Sequence, residues 1–267
     1  MRTDPILLVG PQRSGTTALA GALSEALAAA GGCFTINGKL LYFLRRWWMD
    51  TDADGQHLRS DEVSHSLRRI PAQGAGAAAW LERAHTALLA SARRAAGHGT
   101  ELSARDEIRR ICWEAYGASQ WGDKYNEYLL DLGWLHATFP DARWIFLVRD
   151  PGETVASMLA WKRDKPWNPE GGPAASAKWA DWTSRWLGFR DALPHHRRVE
   201  LDYAELCAGR HRTLSEVVGV DLGPFLTNFR RPTHERPSAP LCPAAHAVRR
   251  QLVHLGILSG HRDQQPG

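Results

Sequence analysis

Cysteine is scarce in this chain of 267 residues: there are four, and Cys33, Cys112, Cys207 and Cys242 stand far apart. Neither C-x-x-C nor H-E-x-x-H occurs, which speaks against zinc or any other protein-held metal and against a disulfide scaffold. Widely spaced thiols suit a reducing cytoplasm. Lysine is scarce too, five among the 33 basic residues, the other 28 being arginine. These cations are scattered without a block of like charge, so no nucleic-acid surface is indicated. No apolar run reaches the roughly 18 residues of a membrane span. Met1 to Pro5 is short and polar and leads straight into a strand-like run, unlike a secretory signal. There is no repeat and no long linker of Ser, Gly or Pro, so a single domain over residues 1–267 is expected.

What is present is a soluble composition, 43% apolar and 23% charged, in a chain able to bury roughly three-quarters of its unfolded surface. A net charge of +4 and a pI of about 9.0 suit a small anionic ligand held by a few arginines. Ile6-Leu7-Leu8-Val9 reads as a strand buried on both faces. Leu19, Leu23 and Leu27 then mark one face of a helix stopped by Gly31-Gly32. The middle third reads helical: Leu40 to Trp48, Ala78 to Ala96, a helix N-capped by Ser103, and one amphipathic helix through Leu129, Leu132 and Leu135. A short stretch runs from Gln120 to Lys124, and Gln73 to Ala79 and Glu170 to Pro173 read as loops.

Arg143 to Val148 is a second strand, and Asp150-Pro151 opens a helix through Trp161 with Glu153 as a capping-box partner. Trp179, Trp182, Trp186 and Phe189 keep helical spacing and read as a core face before an acceptor-pocket wall. His195-His196 sits in a turn, Val199 to Asp202 is a third strand, and Val248, Leu252 and Leu255 lie on a helix ended by Gly256. Strands alternating with helices predict an α/β fold, a parallel β-sheet flanked by helices on both faces.

The sharpest chemistry lies in Gly10-Pro-Gln-Arg-Ser-Gly-Thr-Thr17, between the first strand and helix. Such a loop offers consecutive backbone N–H groups and a helix N-terminus to an anion. Arg13 adds a cation, and Ser14, Thr16 and Thr17 add hydroxyls around Gly15. An ordinary βα turn explains one glycine but not that convergence. The Gly-Lys-Ser/Thr ending of a Walker A loop is missing, so the lysine and hydroxyl that serve terminal phosphates and Mg²⁺ are not where an ATPase needs them. A second motif, Leu147-Val-Arg-Asp-Pro-Gly-Glu-Thr-Val-Ala-Ser-Met158, ends a strand on Arg149 and carries Ser157 eight residues on, inside the next helix.

Together these motifs resemble sulfotransferases that use 3′-phosphoadenosine 5′-phosphosulfate (PAPS), especially the tyrosylprotein and bacterial branches. The resemblance spans about residues 6 to 225 and implies a P-loop-like fold. It implies that Arg13, Ser14, Gly15, Thr16 and Thr17 grip the 5′-phosphosulfate and that Arg149 and Ser157 hold the 3′-phosphate. Gly122-Asp-Lys124 looks like the family's strand-end lysine, so Arg13 and Lys124 are the implied catalytic cations. Val199-Glu-Leu-Asp-Tyr-Ala-Glu-Leu206 looks like its later strand and helix start. Residues 40–117 would build the acceptor pocket, and the Pro-rich stretch after Arg230-Arg231, Pro232 to Pro243, a lid.

The implied reaction moves a sulfuryl group from PAPS to a hydroxyl or amine of a small-molecule acceptor. Twelve tryptophans favour an apolar or aromatic one. No general base stands where relatives keep one: Cys33 to Lys39, where a Glu is expected shortly after the first helix, holds no carboxylate, and Asn126 stands two residues past Lys124 where a histidine is expected. Asp123 is the leading candidate, with Asp50, His57, Glu62 and His65 behind it. Lys39 either assists an anionic acceptor or is inert. A P-loop kinase or hydrolase, and a non-catalytic nucleotide-binding protein, are the competing readings.

Overall fold

The computed structural model describes residues 4–47, 59–97, 104–161, 168–227, 229 and 239–259. Ser103, Asp50, His57, Arg230-Arg231 and most of the Pro-rich stretch therefore lie outside the described residues. Five short strands, β1 (Ile6–Val9), β2 (Cys33–Ile36), β3 (Trp121–Lys124), β4 (Arg143–Val148) and β5 (Arg198–Asp202), make one parallel sheet in the order β2-β3-β1-β4-β5. All four residues of β1 have no exposed surface, as a continuous apolar run between two helical layers requires. The order places β1 inside the sheet, with the loop that follows it at a strand's carboxyl end, where α/β folds bind ligands.

The chain divides into two compact units, Met1–Leu7 with Ala20–Arg143, and Leu8–Leu19 with Trp144–Gly267. The cut falls within β1 and within helix α1 (Thr16–Ala29). In the first unit Cys33 to Ile36 pair with Trp121 to Lys124 in register. Among the described residues four helices follow β2 before β3 begins: α2 (Leu40–Trp47), α3 (Ser60–Arg69), α4 (Ala77–Gly97) and α5 (Ala104–Tyr116). Helix α4 packs on α3 and α5. An aromatic chain joins these helices to β3: Trp80 meets Tyr116 at 5.6 Å, and Tyr116 stacks on Trp121 at 4.4 Å. A short helix α6 (Leu132–Thr138) closes the unit.

In the second unit Trp144 to Val148 pair with Arg198 to Asp202. Helix α7 (Pro151–Leu159) packs on α8 (Gly171–Phe189), two short helices α9 (Tyr203–Cys207) and α10 (Arg212–Val218) follow β5, and α11 (Pro243–His254) returns to α8. The tryptophan stripe of α8 is core: Trp179 and Trp186 have no exposed surface, and Trp186 stacks on Phe146 at 4.9 Å. Its indole N–H reaches Glu200 at 2.7 Å, so this large side chain is buried without a stranded donor.

Four details depart from the sequence reading. β2 and α3 were not legible; β2 is four buried residues with no alternation, and α3 follows residues without a clear start signal. The helix expected through Leu129 and Leu135 is a 3₁₀ turn (Asn126–Leu130) and α6, parted at Asp131, whose φ of −129° is not helical. Gly171 to Pro173 belong to α8, because proline is tolerated in a helix's first turn. Glu153, expected as a capping-box partner, turns its carboxylate to Arg149. Asp150 caps α7, accepting from the N–H groups of Gly152 (2.9 Å) and Glu153 (3.2 Å).

Candidate active site

The loop after β1 is shaped by three backbone demands. A Cβ on Gly10 would lie 2.2 Å from the Leu147 carbonyl oxygen, so only glycine fits beside β4. Gly15 has φ of 97°, and a Cβ there would also strike the Tyr203 ring at 2.5 Å. Arg13 has φ of 68°, the left-handed region that a side-chain-bearing residue rarely enters. Left-handed residues alternating with ordinary ones turn successive N–H groups toward one concavity, which is an anion nest. The nest opens onto the N-terminus of α1 and its dipole. Ser14 braces this shape from inside: it is fully buried and its hydroxyl donates to the Pro11 carbonyl at 2.6 Å. Thr16 is buried and Thr17 exposed at the helix start.

The structure brings Arg13 and Ser157 together. The Arg13 Nε donates to Ser157 Oγ at 3.1 Å, and the guanidinium lies 5.0 Å from the centre of the Trp161 ring. Arg149 leaves the end of β4 with its guanidinium 4.7 Å above the Tyr203 ring and its Nε 2.8 Å from Glu153 Oε2. Its side chain keeps 16% of its surface exposed, enough to reach a second anion. Two arginines thus stand at the carboxyl ends of β1 and β4, one tied to the serine of the helix that follows the other. Leu159 on α7 is 45% exposed.

Lys124 and Asp123 belong to the first unit. Lys124 ends β3 almost fully buried, and its Nζ donates to Asn37 Oδ1 at 3.1 Å. Burial lowers its pKa to about 8, against the pull of Glu127 and Asp123, and with help from the positive Lys39. Lys39, half-buried on its own left-handed backbone, has its pKa lowered by burial as well, and its amine lies 5.7 Å from the Tyr125 ring centre.

Asp123 has a different environment from the one a base needs. Its Oδ1 accepts from Thr35 Oγ1 (2.8 Å) and the Gly38 N–H (2.8 Å), and its Oδ2 from the Lys39 N–H (3.0 Å) and the Tyr128 hydroxyl (2.7 Å). Burial pushes its pKa up and these donors pull it back. Four donors fill the lone-pair sites of a carboxylate, so no site stays open for an acceptor proton. Glu62 and His65 sit exposed on α3. The residues missed by sequence reasoning are Asn37, Tyr128, Tyr203 and Glu153. Only the turn-forming Asn37-Gly38 pair carried a local signal for its place.

The sequence profile of the Sulfotransferase family matches residues 5–220, and the chain belongs to that family. No curated protein sequence matches it. Among solved structures, it resembles the sulfotransferase domain of the Synechococcus PCC 7002 olefin synthase, with 18% identity, 94% of this chain and 95% of that one covered, and a TM-score of 0.58. It also resembles the sulfotransferase domain of the curacin biosynthetic pathway, with 15% identity, 95% and 99% covered, and a TM-score of 0.53. At that identity the likeness speaks for the fold, a P-loop-like α/β sheet. The chain is a sulfotransferase, a transferase of sulfuryl groups.

Among the described residues no group of His, Cys, Asp and Glu is placed to hold a metal ion, and no helix is long and apolar enough to cross a membrane.

Proposed function

We propose that the chain transfers a sulfuryl group from PAPS to a hydroxyl or amine of a small-molecule acceptor, acting as one sulfotransferase-like domain with residues 40–117 forming the acceptor pocket. The observation that carries this reading is the glycine-shaped nest after β1 with Arg13 bonded to Ser157. The residues would suit the nucleotide: glycine at position 15 keeps the loop close against the Tyr203 ring, where a Cβ would clash, and two arginines would answer two anionic groups. The donor supplies an already activated sulfuryl group on a phosphate leaving group.

The chain supplies position and charge, which dominate in loose in-line transfers of this kind. Backbone N–H groups of residues 13–17, with the hydroxyls of Thr16 and Thr17, would hold the 5′-phosphate. Ser14 would act through the loop it braces. Arg149 would hold the 3′-phosphate and give up part of its contact with Glu153 to do so. Ser157 would serve the same phosphate, shared with Arg13. Arg13 and Lys124 would neutralise charge growing on the leaving oxygen. Removing one such preorganised donor typically costs ~10²–10³-fold in rate. We assign no base role to Asp123, because its oxygens are engaged. The thiol spacing and the absence of a metal motif support a cytoplasmic, metal-independent enzyme.

The kinase or hydrolase reading lacks the loop lysine, since Thr16 follows Gly15 where that lysine would stand. The test is thermal unfolding with 3′-phosphoadenosine 5′-phosphate (PAP) against ATP with Mg²⁺, followed by radiosulfate transfer from PAPS to a panel of phenols, alcohols and amines. PAP at ~100 times its Kd should stabilise the protein by about 2.7 kcal/mol. Stabilisation by Mg-ATP alone would overturn the proposal. PAP binding without transfer to any acceptor would favour a non-catalytic nucleotide binder.

A further inference from the structure

The turn between β2 and α2 is strained twice. Asn37 and Lys39 both carry left-handed backbone, with φ of 58° and 61°. Between them, Gly38 has no room for a Cβ, which would lie 2.4 Å from Thr35 Oγ1 and 3.0 Å from Asp123 Oδ1. Unfavourable backbone persists only where the surroundings over-determine it, and such strain gathers at functional sites. Here the cause is one group: the Asp123 carboxylate takes the consecutive N–H groups of Gly38 and Lys39, one on each oxygen. Thr35, itself bonded to Tyr116 at 2.8 Å, and Tyr128 hold that carboxylate from the other sides.

The turn so formed binds the next residue of β3 at both ends. The Asn37 N–H donates to the Lys124 carbonyl at 2.8 Å, and the Asn37 carboxamide oxygen accepts from the Lys124 amine at 3.1 Å. A lysine amine otherwise swings on a flexible four-carbon stem. We infer that Asp123 is a positioning residue: its buried carboxylate folds the Asn37–Lys39 turn so that Asn37 fixes the Lys124 amine for the transfer. Lys124 is thus placed through its neighbour in sequence acting on a turn 85 residues upstream. The inference rests on the catalytic role proposed for Lys124. The charged groups that act on its amine are Glu127, Asp123 and Lys39.

Two variants test it, Asp123→Asn and Asn37→Gly; the second keeps left-handed backbone accessible and deletes only the carboxamide. The first readout needs no nucleotide: NMR titration of ¹³C-labelled lysine follows Lys124, whose pKa is about 8 in the parent protein. Both variants should titrate at lower pH, one losing a negative neighbour and the other the acceptor that favours the ammonium form. The second readout is transfer from PAPS to 2-naphthol. Each variant should lose about 10²-fold in kcat with PAP affinity unchanged. The double variant should be no slower than the worse single, since both act on one link.

An unmoved Lys124 titration in Asn37→Gly, or losses that multiply in the double variant, would overturn the inference. If Asp123→Asn fails to fold, Asn37→Gly carries the decision through the titration. A parent protein that ignores PAP would sink the donor assignment, and the nucleotide-free titration would still judge the clasp.

Discussion

At the scale of single residues, the proposed site would separate groups that grip from groups that act. Arg149, paired with Glu153 and stacked on Tyr203, stands apart from the loop in sequence and is proposed to hold the nucleotide. We expect Arg149→Ala to weaken PAP binding more than it slows turnover of bound PAPS. Arg13→Ala and Lys124→Ala should do the reverse, lowering kcat by ~10²-fold or more. Calorimetry with PAP beside kcat and KM for PAPS would show the split; equal affinity losses in all three would remove it. Gly15→Ala must fail differently, because a left-handed φ of 97° and a 2.5 Å approach to Tyr203 leave no place for a methyl group. It should abolish PAP-dependent stabilisation while circular dichroism stays native.

Lys124 also sets a pH dependence with two signs. Its folded pKa of about 8 lies below the ordinary 10.5. Between those values the unfolded chain binds more protons than the native one, so this group makes stability rise with pH. Turnover should fall over the same interval as the amine loses its charge. Denaturant melts and kcat measured together from pH 7 to about 10 would reveal opposed trends, and parallel ones would contradict the burial of a charged Lys124.

At the scale of elements, the hydrophobic pattern reported what was buried and missed what was short. β1 and β4 were legible because four and five consecutive buried positions leave an apolar run that no helix face produces. α7 was legible through Asp150 and Pro151, whose capping chemistry is local. β2 was not: Cys-Phe-Thr-Ile lacks both alternation and length, and it is a strand because β3 pairs with it. The same limit applies to the site. Arg13, Ser157 and Arg149 could be named because loop and strand-end motifs place them by local spacing. The engagement of Asp123 could not, since its four partners lie between 5 and 88 residues away. Its fate depends on tertiary contacts that spacing does not encode.

The aromatic stripe of α8 makes the energetic argument at this scale. Trp186 is fully buried, stacked on Phe146 and bonded to Glu200. Trp186→Ala should cost about 3–5 kcal/mol of stability, measured by urea unfolding. A small loss would mean that the stripe faces a ligand pocket instead of the core.

At the scale of the whole molecule, the fold explains how few charged side chains the site needs. In the second unit the carboxyl ends of β1 and β4 lead into the loop and Arg149, and in the first unit β3 ends on Lys124. The described part of the chain beyond the family match still matters to stability: α11 packs on α8, and its Ala245 and Leu252 have no exposed surface. Leu252→Ala should lower stability by about 2–5 kcal/mol and leave PAP affinity at the level of the parent, as paired melts with and without PAP would read.

The presence of arginine at position 13, where a lysine would also supply a cation, has an outcome in alkaline solution. A guanidinium stays protonated far above the pH at which an ε-amine is lost. Raising the pH should therefore silence the enzyme with its cosubstrate still seated, a stalled Michaelis complex that dilution back to neutral pH would restart. Such a reversible pause would let an acceptor be soaked in and caught before the bond is made.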